Sequence, residues 1–70
     1  MDTAQQLSFF TIDLMKSVIS GEEMLSEKAR ELLLQVGKEL DRCKVNNEPT
    51  DGLEYLYDTA LWLNGIISGQ

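Results

Sequence analysis

Seventy residues with a formal charge of −6, no histidine and a single cysteine leave room for one small domain, here taken as residues 1–70. A chain this short buries only about 60% of its unfolded surface, and it holds neither the cysteine pair for an internal disulfide nor the Cys/His set for a structural zinc site. A composition 43% hydrophobic and 26% charged argues against disorder and leaves close packing or a partner chain as the source of stability.

The first helix is expected over about residues 4–19. Thr3 and Gln6 have capping-box spacing, and Leu7, Phe10, Leu14 and Val18 recur on one face, widened by Ile12, Met15 and Ile19. Ser20-Gly21 closes it, glycine being able to take the left-handed cap conformation. The second helix is read over 22–43, with a start near Glu22 favoured and Ser26 left open as the later one. Its apolar stripe is Leu25, Ala29, Leu32, Val36, Leu40 and Cys43, flanked by Leu33. The opposite face mixes Glu27, Arg30, Glu31, Lys38, Asp41 and Arg42. Gly37 weakens this helix, and Leu34 points away from the stripe as a stray surface leucine or a contact. Lys44 to Thr50 is the clear loop, with two asparagines and the only proline. Thr50 is a suitable N-cap for a third helix over 51–67. No strand-like alternation competes. The expected fold is all-α, a three-helix domain with an antiparallel hairpin of the second and third helices, oligomeric in its working form.

Acidity bears on function. Residues 44–70 set Lys44 against Glu48, Asp51, Glu54 and Asp58, and there is no basic cluster for phosphate backbones or anionic membranes. With no basic N-terminal region, no membrane-length apolar run and a lone cysteine, the reading is cytoplasmic. The chain is not expected to be an enzyme, since it has no histidine, phosphate loop or nucleophile elbow. Cys43 falls on the core stripe near a helix C-terminus, which disfavours a thiolate, so it reads as structural. No cofactor or metal is expected, and the EF-hand calcium pattern is missing.

The third helix carries the sharpest pattern. Leu53, Leu56, Ala60, Leu63 and Ile67 form a 3-4-3-4 seam bordered by Tyr57 and Asn64. Tyr55, Trp62 and Ile66 make a second strip about 120° away. One monomer needs only the first, and aromatic residues dominate binding surfaces, so the second reads as a partner contact; the competing reading has the first helix wrap around it. Asp51, Glu54 and Asp58 lie along one side, either as a solvated face or as a stripe that steers a basic partner. Phe9, Ile12 and Ile19 add apolar surface on the first helix.

Two resemblances follow. Val18-Ile19-Ser20-Gly21, Ser26-Glu27-Lys28-Ala29, the repeat ending Leu40-Asp41, and a final helix with Tyr57 and Leu61 resemble the AriR/YmgB-type small bacterial regulators. The likeness covers about residues 12–67, with one extra residue between Gly21 and Lys28. It implies a dimerising three-helix regulator of biofilm or acid-stress signalling, although the DNA contact suggested for that family finds no basic patch here. The second helix, the turn at Asn46-Asn47 and the apolar last helix are similar to the YscE/PscE-type type III secretion co-chaperones, which bind a helical-repeat chaperone. No site residue is taken from either family. The expected function is a small acidic regulator or adaptor binding itself or a heterologous helical protein. The alternatives are a secretion co-chaperone and an acidic inhibitor of a nucleic-acid enzyme of the phage anti-defence type.

Overall fold

The computed structural model describes residues 3–69. They form three α-helices: α1 (Thr3–Ile19), α2 (Ser26–Val45) and α3 (Asp51–Ser68), with no strand among the described residues. α1 begins one residue earlier than the sequence suggests, so Thr3 lies inside the helix and the position before it falls outside the described residues. No described helix is long and apolar enough to cross a membrane.

α1 and α2 end by the same device. Behind α1, the Gly21 N–H donates to Val18 O (3.1 Å) and the Glu22 N–H to Ser17 O (3.1 Å). These are the two bonds of a Schellman motif, and Gly21 takes the left-handed position at φ 75°. Behind α2, Asn47 donates to Lys44 O (3.3 Å) and Glu48 to Cys43 O (2.8 Å), with Asn47 left-handed at φ 57°. Asparagine is among the few residues that tolerate that conformation, and Pro49 follows where the helix can no longer continue. α2 therefore runs to Val45, two residues past the expected 43.

The favoured start of α2 near Glu22 is corrected to Ser26. Met24 sits at φ 61°, and a right-handed helix cannot pass through a left-handed residue. No side chain caps the start. Leu25, 5% exposed, anchors it instead, and its carbonyl accepts the Ala29 N–H at 2.9 Å. Thr50 does occupy the N-cap of α3, but it contributes its backbone carbonyl to the Glu54 N–H (2.8 Å) and no side-chain cap bond.

The core follows the three apolar stripes. Leu7 and Leu14 of α1, the whole α2 stripe from Leu25 to Cys43, and Leu53, Leu56, Ala60 and Leu63 of α3 form one buried cluster. Phe10, Met15, Val18, Leu33, Tyr57 and Ile67 pack around it half-buried. α2 and α3 share the larger interface, and α1 contacts both to a smaller, equal extent. Ala29 and Ala60 are fully buried, and the Asn64 amide on α3 donates to Ala29 O of α2 (2.9 Å) as well as to Ala60 O (2.8 Å). Small side chains at these positions let the two backbones come within reach of one amide.

α1 departs from expectation. Ile12 (47% exposed) and Ile19 (84%) do not widen its buried face. They lie about 140° and 120° around the helix from Leu7, beyond what two neighbouring helices cover. Thr11, about 40° from Leu7, is buried instead, its hydroxyl donating to Leu7 O at 2.7 Å.

Two substitutions test these joints. Nothing lies within 4 Å of a Cβ built on Gly21, so Gly21→Ala carries only the left-handed backbone cost. The expected loss is about 1–2 kcal/mol of unfolding free energy by urea titration. Asn64→Asp sets a carboxylate against two carbonyl oxygens, which raises its pKa in the folded state. It should lose about 2 kcal/mol at pH 7 relative to the parent. The deficit should shrink as pH falls through the raised folded pKa and vanish below the unfolded one; a deficit that does not change with pH would contradict the bond.

Candidate partner-binding surface

The strip expected on α3 exists and faces outward. Tyr55 is 74% exposed and Trp62 59%, while Ile66 is half-buried and Thr59 lies between them. From Tyr55 to Ile66 the strip is about 16 Å long at the helical rise. The Thr59 hydroxyl donates to Tyr55 O (3.0 Å), so the strip's polar group is satisfied within the helix. α1 does not cover this strip: the helix that could have wrapped it leaves Tyr55 and Trp62 open while Phe9, Ile12 and Ile19 of its own are also exposed.

Asp51, Glu54 and Asp58 are all exposed. They occupy an arc beside the strip, between it and the side of α3 that carries Tyr57. Asp51 and Glu54 also stand in the first turn, where the helix dipole favours them. Among the described residues the ion pairs are made by Arg42 alone, so these acids have no basic partner there.

A second feature was not read from the sequence. Between α2 and α3 runs an open groove of about 840 Å³. Leu33, Leu34, Gly37, Leu40 and Tyr57 supply its apolar part. Lys38, Asp41 and Lys44 stand on the α2 side, and Glu54 and Asp58 on the α3 side. Leu34, the leucine off the stripe, is 60% exposed at this groove. The available signal was the conjunction of that leucine with Gly37 one turn later, each odd for a helix that buries a single stripe.

The remaining cluster of ionisable groups is structural. Arg42 donates through Nε to Glu39 Oε1 (2.9 Å) and through Nη1 to Glu48 Oε2 (2.8 Å), and its Nη2 pairs with Glu39 as well. It thus ties the loop after α2 back onto the helix. The guanidinium holds the Glu39 carboxyl below the usual range, chiefly through that hydrogen bond. Cys43 lies behind Arg42 and Glu39, with Sγ 3.7 Å from Arg42 Nη2 and 3.9 Å from Glu39 Oε1. Burial pushes its thiol up, the wrong direction for a nucleophile.

No protein-family model, curated protein or solved structure matches this chain. The surface must be interpreted from its own chemistry.

A thiol-specific reagent should label Cys43 in the folded chain at least about tenfold more slowly than a free thiol at the same pH. Denaturant should remove that protection. Fast labelling of the folded chain would show the thiol to be exposed and reactive.

Proposed function

We propose that this chain is a small acidic regulator or adaptor that acts by binding another protein, as a homodimer or as half of a heterodimer. The observation that carries this reading is the open α3 strip. A tryptophan and a tyrosine stand on the outer face of a helix whose core seam is already satisfied. Ordering large aromatic side chains toward water gains nothing for the monomer, whereas burying them against a partner is among the strongest contributions to an interface.

In this reading α2 and α3 form an antiparallel hairpin braced by α1, supported by the pairing of Ala29 with Asn64 and of Gly37 with Tyr57. The hairpin presents α3 to a helical partner. Tyr55, Trp62 and Ile66 supply the apolar contact, and Asp51, Glu54 and Asp58 speed the approach of a basic partner and orient it. The acids carry less of the affinity because they are exposed and screened by salt.

The test is capture of partner by immobilised chain from the organism's own extract, followed by titration with the purified partner. Trp62→Ala or Tyr55→Ala should weaken binding by about 2 kcal/mol or more, roughly thirtyfold, while leaving helicity and the unfolding midpoint nearly unchanged. Removing the charges of Asp51, Glu54 and Asp58 together should lower the association rate and its salt dependence more than the affinity. Undiminished binding by both aromatic variants would refute the strip as the interface. Affinity that collapsed on charge removal alone would favour the inhibitor reading, in which carboxylates imitate phosphates.

A further inference from the structure

We propose that the groove between α2 and α3 is the docking site for a second copy of this chain, joined by a twofold contact that sets the lysine wall of each copy against the acidic wall of the other. The groove adjoins the α3 strip and shares Glu54 and Asp58 with its acidic flank, but the proposal does not rest on the reading of the strip.

The charge pattern commits the occupant. On the α2 side Lys38 and Lys44 outweigh Asp41, and on the α3 side Glu54 and Asp58 stand with no base. A twofold contact brings the same patch of two copies together, so it requires a patch that complements itself. A groove with one basic and one acidic wall meets that requirement, because rotation about an axis that lies in the contact plane and runs along the groove exchanges the walls. A basic partner helix would be repelled by the lysines, and an acidic one by the carboxylates. Among the described residues none of these charges makes an ion pair, since the ion pairs there belong to Arg42.

Gly37 supplies an independent argument. It lies in the middle of α2, where glycine weakens a helix relative to alanine. The chain's own packing does not require it. A Cβ at this position would meet only a Tyr57 ring carbon at 3.8 Å, an ordinary contact. The missing methyl group instead deepens the groove where a side chain from outside would enter. Leu34, 60% exposed on the same wall, gives each copy an apolar group to place in the other's groove.

Sedimentation equilibrium and light scattering on the whole chain decide the matter. The parent should be a dimer that dissociates more readily as salt is added. Lys38→Glu with Lys44→Glu should be folded and monomeric, and so should Glu54→Lys with Asp58→Lys, because each then presents two walls of one sign. An equimolar mixture of the two variants should form a heterodimer, since each now carries the wall the other needs. Gly37→Ala should raise the Tm of the monomeric Lys38→Glu, Lys44→Glu chain by a few degrees, about 4–8 °C at most. The same change in the parent background should weaken the dimer about tenfold or more. Ile19→Ser, on the exposed outer face of α1 and away from the groove, should leave dimerisation unchanged. A parent that stays monomeric to about 1 mM, where only contacts weaker than about −4 kcal/mol escape detection, would overturn the proposal. So would reversed variants that dimerise alone or fail to pair when mixed, a Gly37→Ala dimer as tight as the parent, or a dimer that Trp62→Ala dissolves while the wall reversals leave it intact, which would put the self-contact on the α3 strip instead.

Discussion

Everything in this fold depends on how closely α2 and α3 approach. Ala29 and Ala60 are fully buried, and the Asn64 amide spans the gap to the Ala29 carbonyl while also bonding Ala60 O within its own helix. Hydrophobic burial alone is non-directional and would accept several rotations and slides of two leucine-rich helices. A half-buried amide that must be satisfied by one carbonyl accepts few. Slipping α3 by a turn would leave Asn64 without its α2 partner and would bring larger residues to the alanine contact. The polar bond thus contributes modestly to stability and more to which arrangement the apolar stripes adopt.

Once that pair is set, α1 has one face to cover and does so with Leu7, Leu14, Phe10, Met15 and Val18. Three helices enclose only the inner arcs of each other. What remains outside is determined by angle: Ile12 and Ile19 on α1, Leu34 on α2, Tyr55 and Trp62 on α3. The two Schellman turns fix the connections that make this possible, and Arg42 secures the second of them by holding Glu48 to the end of α2. Because Glu39 is held below its usual pKa by Arg42, its share of this brace is present above the ordinary glutamate range and fades as pH falls through the lowered value.

The helices and the buried stripes were legible because burial on one side of a helix writes itself as 3-4 spacing; all six stripe residues of α2 and four of the five seam residues of α3 are buried. Gly21 at the end of α1 was equally legible, since its role follows from backbone sterics. The start of α2 was not. Ser20 and Ser26 both offer helix-initiating chemistry, and only the left-handed Met24 decides between them, a conformation forced by the path of the chain and not encoded in that side chain. Ile12 and Ile19 belong to the surplus apolar surface expected on α1 and not to its buried face, because the angular width a third helix can cover is a tertiary property that hydrophobicity alone does not report. Thr11 escaped notice for the converse reason: its hydroxyl is satisfied by Leu7 O, so it behaves as an apolar residue of the core. For the surfaces, the aromatic strip was visible from composition and spacing, whereas the groove belongs to two helices at once, and α2 alone signals it only through the off-stripe Leu34 and the mid-helix Gly37.

The acids of α3 take on a structural meaning when the two outer surfaces are considered together. Around α3, Tyr57 faces the groove, the exposed Leu61 and the acids Glu54, Asp58 and Asp51 come next, and Trp62 and Tyr55 follow. Without those carboxylates the groove and the strip would merge into one apolar band around half the helix, and any apolar partner could settle anywhere on it. Three charges along the ridge between them make desolvation there costly, which separates the groove from the strip. The acidity concentrated on α3 therefore keeps the groove and the strip distinct.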